Sequence, residues 1–331
     1  MTRIDTNSNI GQGTEGIDAI TYSTDQWEAA ALFLADWGLT NISQSDTLQV
    51  WETLNGARVN VRRTDDDTLP PAMEKGPTLR EVVWGVRSDA QLETLSQALA
   101  SAPGFLDQRA SHGTLQALDP HGLRVVFQKS IKRAINAPGV PTNTWDDVRR
   151  VDQPSPIYTS AQPVEIGHVV LFTDKLEAAE AFYTGLGFTT SDRYPGRGIF
   201  MRCSVNGGHH DIFLLQLPNK PSGLNHVAFT VRDIHEVFGG GMHMSRQGWK
   251  TQLGPGKHPI SSAIFWYFEN PCGGLIEYNA DEDHLTEKWV PRDFEPSPTA
   301  FAEWAIDGGI DGHTRRQPKV EAGTGFLTEK R

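Results

Sequence analysis

The length, composition and charge of the chain set the first limits on its function. It has 331 residues, 38% of them hydrophobic, and a formal net charge of −11 from 30 basic and 41 acidic residues. This hydrophobic fraction excludes a wholly disordered chain, and the negative charge argues against general nucleic-acid binding, because phosphate backbones are repelled. No apolar run approaches the ~20 residues that span a bilayer, which argues against an integral membrane protein. At about 150 residues per domain, the length predicts roughly two domains.

The cysteine content and the N-terminus bear on the cellular compartment. Only Cys203 and Cys272 are present, which is too few for a disulfide framework in a chain of this length. The first residues are polar and lack the apolar core of a signal peptide. We therefore expect a protein of the reducing cytoplasm.

The first half of the chain predicts two successive units, each made of a strand, a helix and further strands. A polar, glycine-containing arm is expected over residues 1–15, followed by a domain over 16–135. Hydrophobic periodicity predicts helices at 26–34 and 89–100. It predicts strands at 17–22, 48–54, 58–63, 79–86, 114–118 and 123–128. The stretch 64–77 is rich in Asp, Pro and Gly and is expected to be a loop.

The same pattern starts again after a linker predicted at residues 136–163, which contains five prolines. A second domain is expected over 164–286, with helices at 176–186 and 234–247. Its predicted strands lie at 164–172, 198–205, 211–217, 224–231, 261–268 and 274–278. The aromatic, proline-containing tail at 287–331 is expected to pack on its own domain or on a neighbouring subunit, and we hypothesise that it helps to cover the substrate pocket.

Three short segments of the first half match three segments of the second half, which indicates a duplicated domain. The segments around Asp18, Glu81 and Val126 match those around His168, His226 and Glu277. The residue numbers of these pairs differ by 150, 145 and 151. The nearly constant offset over three separate segments is the observation that supports duplication.

The matched positions differ in chemistry between the two halves. His168, His226 and Glu277 supply two imidazoles and one carboxylate, the facial triad that holds non-haem Fe(II) with open coordination positions. A single histidine at the start of an apolar strand is most often a hydrogen-bonded core residue, but three potential ligands at matched positions favour a metal site. The first domain is expected to bind no metal, because Val126 offers no donor atom.

The residues around the three potential ligands resemble a known family. Gly-His168-Val, Asn-His226-Val-Ala-Phe and Asn270-Pro-x-Gly-x-x-x-Glu277 resemble the three metal-ligand segments of type I extradiol ring-cleaving dioxygenases. These enzymes belong to the vicinal oxygen chelate superfamily, together with glyoxalases and bleomycin-resistance proteins. The resemblance covers about residues 16–290. It implies an α+β fold of tandem βαβββ modules, with two domains that each form a curved mixed sheet flanked by helices, and a homo-oligomer is expected.

Four further residues resemble parts of the family's active site. In the His209-His210 pair, the second member resembles the acid–base histidine near bound dioxygen, and we place His209 beside the substrate. His258 and Tyr267 resemble the substrate-binding pair, with Tyr267 helping to deprotonate a hydroxyl group. Each also has a plainer interpretation. His209 and His210 could form a solvated turn pair, His258 could be an exposed histidine in a Gly-Pro loop, and Tyr267 could pack within a strand. Their ordered spacing relative to the ligands favours the functional interpretation.

The resemblance implies extradiol cleavage of a catecholic ring. The expected partners are a small aromatic diol and O2, the cofactor is Fe(II), with Mn(II) as an alternative, and the product is of the hydroxymuconic-semialdehyde type. Two alternatives stay open: a glyoxalase-like or 4-hydroxyphenylpyruvate-type enzyme of the same superfamily, and a metal-free small-molecule-binding protein. The choice among monocyclic, biaryl and trihydroxylated rings is also open.

Overall fold

The computed structural model describes residues 13–308, and their first half contains eight strands and three helices. The strands are β1 (Thr14–Thr24), β2 (Thr40–Gln44), β3 (Leu48–Glu52), β4 (Arg58–Arg63), β5 (Thr78–Val86), β6 (Leu106–Gln108), β7 (Thr114–Leu118) and β8 (Arg124–Lys129). The helices are α1 (Trp27–Asp36), α2 (Asp89–Leu99) and the single turn α3 (Arg109–His112). Most of the predicted N-terminal arm lies outside the described residues, and β1 already begins at Thr14.

The second half contains twelve strands and three helices within the described residues. The strands are β9 (Glu165–Phe172), β10 (Thr189–Tyr194), β11 (Gly198–Arg202), β12 (Gly207–Gly208), β13 (Ile212–Leu215), β14 (Gly223–Thr230), β15 (Thr251–Lys257), β16 (Ile264–Glu269), β17 (Leu275–Ala280), β18 (His284–Leu285), β19 (Arg292–Asp293) and β20 (Trp304–Gly308). The helices are α4 (Leu176–Gly185), α5 (Ile234–Arg246) and α6 (Pro298–Phe301). Residues 130–164, which include the predicted linker, contain no helix or strand.

Each half of the chain forms one mixed sheet from two βαβββ units. In the first sheet, β1 pairs in parallel with β4 and β5 pairs in parallel with β8, and the two units join through the antiparallel pair β1–β5. The second sheet repeats this scheme with β9–β13, β14–β17 and the joining pair β9–β14. The predicted α+β fold of tandem modules is therefore confirmed.

Local sequence signals account for the helix boundaries. Ser88 and Asp233 cap α2 and α5, since their side chains accept hydrogen bonds from the backbone N–H groups of Gln91 and Glu236. The chain leaves α1 and α4 through Gly38 and Gly187, whose φ angles of 93° and 89° lie in the left-handed region that favours glycine. Both glycines follow helices that the sequence predicts, at 26–34 and 176–186.

We call the half of the chain that forms the first sheet the first module and the half that forms the second sheet the second module. One hydrophobic core runs through both modules. At the contact between them, the rings of Trp37 and Tyr278 stack with centroids 3.5 Å apart, and the Tyr278 hydroxyl donates a hydrogen bond of 2.7 Å to the carbonyl oxygen of Trp37. Trp84 of the first module meets Phe188 of the second edge-on, with centroids 4.9 Å apart. The two sheets are therefore held in a fixed relation through buried aromatic side chains.

The described part of the tail adds to both edges of the second sheet. Strand β19 pairs with β10 at one edge, and β20 pairs with β15 at the other. The remainder of the predicted tail, residues 309–331, lies outside the described residues. In the part of the chain that the structure describes, no helix is long and apolar enough to cross a membrane.

The strand register corrects one equivalence drawn from the sequence. Residues Gly167 and Asp18 both lie at register shifts, in β9 and β1 respectively. Past these shifts, His168 pairs with Ala228 in the second sheet, and Ala19 pairs with the corresponding Val83 in the first. The counterpart of His168 is therefore Ala19, and the expected match with Asp18 was wrong by one residue, because Asp18 occupies the bulge position that Gly167 occupies in the second sheet.

Candidate metal centre and cavity

Three adjacent strands in the middle of the second sheet position the three candidate ligands. His168 lies on β9, His226 on β14 and Glu277 on β17. Ala228 pairs with His168 on one side and with Glu277 on the other, which brings all three side chains to the same face of the sheet. They are almost fully buried, with exposed fractions of 3%, 5% and 0%.

The donor atoms of these residues converge on one point. The two histidine Nε2 atoms are 3.2 Å apart, and they lie 3.3 Å (His168) and 3.1 Å (His226) from Oε2 of Glu277. Adjacent ligands of an octahedral ion with bonds of about 2.1 Å are about 3 Å apart. The spacing therefore fits one facial half of a first-row divalent metal site.

The electrostatics of the cluster also fit a cation. Both carboxylate oxygens of Glu277 and Nδ1 of His168 are buried and have no hydrogen-bond partner. Burial would raise the pKa of Glu277, but the imidazoles of His168, His226 and His258 outweigh it and hold that pKa well below its usual range. Burial lowers the pKa of His226 to about 4. A buried carboxylate beside two imidazoles is a donor set that divalent transition metals bind well.

Asn225 supports one of the candidate ligands, a role that the sequence pattern did not indicate. Its Oδ1 lies 2.6 Å from Nδ1 of His226 and accepts the proton of that nitrogen. This contact leaves the lone pair of Nε2 directed at the cluster, as outer hydrogen bonds do in known metal sites. The only signal in the sequence was its position directly before His226.

His258 and Tyr267 lie together beside Glu277. Nε2 of His258 is 3.0 Å from the Tyr267 hydroxyl and 3.5 Å from Oε1 of Glu277. On the other side of the ring, Nδ1 of His258 lies 2.7 Å from the carbonyl oxygen of Phe301 in the tail. Since a carbonyl oxygen only accepts, Nδ1 carries the proton and Nε2 accepts from the tyrosine hydroxyl.

His210 and His209 have different surroundings. The ring of His210 lies 4.0 Å from that of His168, and its Nδ1 is 3.0 Å from Oε1 of Glu282. Burial, followed by the neighbouring His168 and His209, lowers the pKa of His210 well below its usual value. His209 is fully buried and its Nε2 pairs with Asp192 at 2.9 Å. His210 lines the cavity next to the ligand cluster, whereas His209 does not line that cavity.

These side chains surround a cavity with about 460 Å³ of empty space, part of which is open to solvent. Its polar lining comes from the two candidate ligands His168 and His226, from His210, His258 and Tyr267, and from Asn225, Ser261 and Asn279. Its apolar lining comes from Val170, Tyr194, Phe200, Phe213, Leu215, Ile260 and Phe301. A pocket with a few convergent polar groups and a largely apolar wall is typical of small-molecule sites.

The corresponding place in the first module is apolar. Ala19, Val83 and Val126 form a small buried cluster where the second module has His168, Ala228 and Glu277. The counterpart of His226 is Glu81, which pairs with Arg124 at 2.5 Å. These contacts support the interpretation of the first module as a structural repeat.

Comparisons with known proteins give the class to which this fold and site belong. Residues 165–278 match the model of the Glyoxalase/Bleomycin resistance protein/Dioxygenase superfamily. The match covers most of the second module and confirms, at the level of the superfamily, the resemblance seen in the sequence.

The curated relatives match the chain at low identity and over less than half of its length. The chain is 31% identical over 148 residues to metapyrocatechase 2 of Cupriavidus necator, which is 44% of this chain and 45% of that protein. It is 26% identical over 142 residues to the metapyrocatechase of Pseudomonas sp. strain CF600, again 45% of that protein. The matches thus span less than half the length of these curated relatives.

Solved structures share the fold over nearly the whole chain. The Mn(II)-bound glyoxalase from Novosphingobium aromaticivorans has a TM-score of 0.70 at 22% identity, covering 96% of this chain and 98% of that one. The 2,3-dioxygenase LapB from Pseudomonas sp. KL28 has a TM-score of 0.67 at 17% identity, covering 86% and 98%. At these identities the likeness establishes the fold.

Proposed function

We propose that this chain is an extradiol ring-cleaving dioxygenase, which opens a catecholic ring with O2 at a divalent metal held by His168, His226 and Glu277. The observation that carries the proposal is the meeting of this ligand cluster with His210, His258 and Tyr267 in one cavity. A facial triad leaves coordination positions free, as a substrate with two adjacent oxygens requires. The partial matches to metapyrocatechases support the same activity.

The bound ion, Fe(II) or Mn(II), would supply Lewis acidity that lowers the pKa of the substrate hydroxyls. The protein residues handle the protons. Because Nε2 of His258 accepts the proton of the Tyr267 hydroxyl, the tyrosine oxygen keeps lone pairs with which to accept a proton from a catechol hydroxyl. The proton then passes from Tyr267 towards His258, whose other nitrogen is fixed by the Phe301 carbonyl.

His210 would hold and return a proton at a ring nitrogen on the His168 side of the cavity. In the overall reaction, the carbon–carbon bond beside one hydroxyl-bearing carbon breaks. Both atoms of O2 enter the product, so O2 is reduced, the ring is oxidised, and no further reductant is needed. The apolar wall excludes water from the reacting ring.

Anaerobic reconstitution with Fe(II) or Mn(II), followed by addition of catechols and O2, tests the proposal. We expect about one metal ion per chain and a yellow product that contains two labelled atoms from ¹⁸O2. His168→Ala, His226→Ala and Glu277→Ala should lose metal and activity. Glu81→Gln, at the position of the first module that corresponds to His226, is the matched control and should keep both.

The same samples separate the alternatives. Turnover of a glutathione hemithioacetal without O2 uptake would identify a glyoxalase-like enzyme, for which the Mn(II)-bound glyoxalase is the structural precedent. Turnover of 4-hydroxyphenylpyruvate would identify the other enzyme class. Ligand binding without metal retention would identify a metal-free binding protein. Any of these outcomes in place of ring cleavage would refute the proposal.

A further inference from the structure

The apolar wall of the cavity is a separate packing unit. Strands β9, β10, β11 and β13 contribute Val170, Tyr194, Phe200, Phe213 and Leu215, which form a buried cluster distinct from the main core. The rings of Phe200 and Phe213 stack with centroids 3.8 Å apart. Val170 follows His168 by two residues on β9, so both side chains lie on one face of the strand. The wall therefore begins directly beside the metal ligands.

The wall offers a ligand no free hydrogen-bond donor. The hydroxyl of Tyr194 donates a 2.6 Å hydrogen bond to the carbonyl oxygen of Ala300, so its proton is already used. Among the described residues that line the cavity, none is lysine or arginine. Arg292 approaches from behind the wall, but it pairs with Asp192 at 2.6 Å and donates to the carbonyl oxygen of Ile260 at 2.8 Å.

The charges at the ligand cluster are also balanced without a second anion. Glu277 contributes one negative charge, so a divalent ion bound there would leave one positive charge for a catechol that has lost one proton. A carboxylate on a ring substituent that lies against Phe200, Phe213 and Leu215 would be buried there with no lysine or arginine side chain in the lining to pair with it. An unpaired buried charge is strongly disfavoured, whereas an alkyl or aryl group is stabilised by burial.

We propose that the substrates of this site are catechols whose ring substituent is uncharged and apolar, an alkyl or aryl group, and that the wall formed by Phe200, Phe213 and Leu215 selects it. The inference rests on the proposed function, because it assumes that a catechol is the ligand. It narrows the substrate class to rings without a carboxylate.

Pairs of catechols of similar size test the selection. We compare 4-propylcatechol with 3,4-dihydroxyphenylacetate, and 3-isopropylcatechol with 2,3-dihydroxybenzoate. kcat/KM is measured under O2, and equilibrium binding to the metal-loaded protein is measured anaerobically. We expect the neutral member of each pair to be favoured by about 100-fold or more in both measurements. Equal or better use of the carboxylates would overturn the inference while leaving ring cleavage intact.

The two proposals fail in different ways. If no catechol is cleaved, the proposed function fails, and the anaerobic binding ratio still decides whether the wall rejects carboxylates.

Phe213→Leu and Phe200→Leu reduce the size of the wall side chains and should each lower the ratio of kcat/KM for 4-propylcatechol over catechol several-fold. Phe238→Leu, at an exposed position on α5, is the matched control and should leave the ratio unchanged. An unchanged ratio in both wall variants would overturn the selecting role of the wall.

Discussion

Nε2 of His258 lies 3.0 Å from the hydroxyl oxygen of Tyr267, and the two side chains share one buried hydrogen bond next to Glu277. Removing the hydroxyl would interrupt the proposed path by which a substrate proton reaches the imidazole. Tyr267→Phe should therefore lower kcat/KM for catechol by about 100-fold, the usual scale of general acid–base assistance. Metal content should stay near one ion per chain, since the tyrosine is not a ligand.

Tyr278→Phe is the control for this prediction. Tyr278 is also a buried tyrosine, one strand away on β17, but its hydroxyl donates to the carbonyl oxygen of Trp37 at the contact between the modules. This variant should lose about 1 kcal/mol of unfolding free energy and keep its kcat/KM. Equal activity of Tyr267→Phe and the unaltered protein would exclude the proton path.

The sequence predicted the elements that carry the ligands because these strands are buried and strongly patterned. The predicted strands at 164–172 and 224–231 agree with β9 and β14 to within one residue at each end. Strand β2 was missed because all five of its residues are exposed, so it has no hydrophobic alternation to detect. Strand β10 was missed as well, since its residues Thr189–Tyr194 are mostly polar although partly buried.

The candidate site was predictable only where its residues lie within a motif. His168, His226 and Glu277 occupy corresponding places in repeated units, and their spacing predicted a metal site whose donor atoms the structure brings together. Phe301 and Glu282 reach the site from segments with no such pattern, and their contacts depend on chain paths that spacing does not encode. The β-bulge at Asp18 likewise depends on the local path of the chain, which spacing in the sequence does not encode.

The side chain of Phe301 should contribute to substrate binding rather than to chemistry. It lines the cavity, and its ring packs edge-on against that of His258 with centroids 4.9 Å apart. Phe301→Ala removes this contact and keeps the carbonyl that orients His258. We expect KM for catechol to rise about threefold to tenfold with a smaller change in kcat, as when binding energy is lost uniformly.

Phe294→Ala is the matched control from the same tail. Phe294 packs on Arg292 and Tyr194 but does not line the cavity. The KM of the Phe294→Ala variant for catechol should stay close to that of the unaltered protein. If both variants raise KM equally, the effect belongs to general loosening of the tail, and the hypothesis that the tail covers the pocket loses its support.

The buried pair of His209 and Asp192 should make stability depend on pH. Burial lowers the pKa of His209, although Asp192 opposes the effect. Below about pH 6.5 the unfolded chain therefore binds a proton that the folded protein does not yet bind. The stability contributed by the neutral imidazole is complete above that pH and is lost as the pH falls towards the lowered pKa.

His209→Gln isolates this contribution. Urea unfolding at pH 7.5, 6.5, 5.5 and 5.0 should show a smaller loss of unfolding free energy on acidification in the variant than in the unaltered protein. The difference between the two proteins removes the effect of the other histidines. Parallel pH profiles would show that His209 is not held neutral in the folded state.

His121 and Thr173 link the two modules through a buried polar chain. Thr173 Oγ1 accepts the backbone N–H of Lys175 at 2.9 Å and lies 2.7 Å from Nε2 of His121. Because the ring hydrogen of His121 is on Nδ1, which faces Asp119, the threonine hydroxyl donates to Nε2. Nδ1 of His121 then donates to Asp119 at 2.9 Å. The arrangement of hydroxyl, imidazole and carboxylate is that of a hydrolase triad, but the His121 and Asp119 side chains are completely buried, which leaves a structural role.

Thr173→Val tests that role. The substitution keeps the shape of the side chain but leaves Nε2 of His121 without a donor inside the protein, which costs about 1–3 kcal/mol of unfolding free energy. Thr173→Ser keeps the hydroxyl and should retain most of the stability. Urea unfolding of both variants gives the comparison. If the Thr173→Val and Thr173→Ser variants are equally stable, the buried polar chain of Thr173, His121 and Asp119 adds nothing to the contact between the modules. That contact then depends on aromatic packing such as Trp37 on Tyr278.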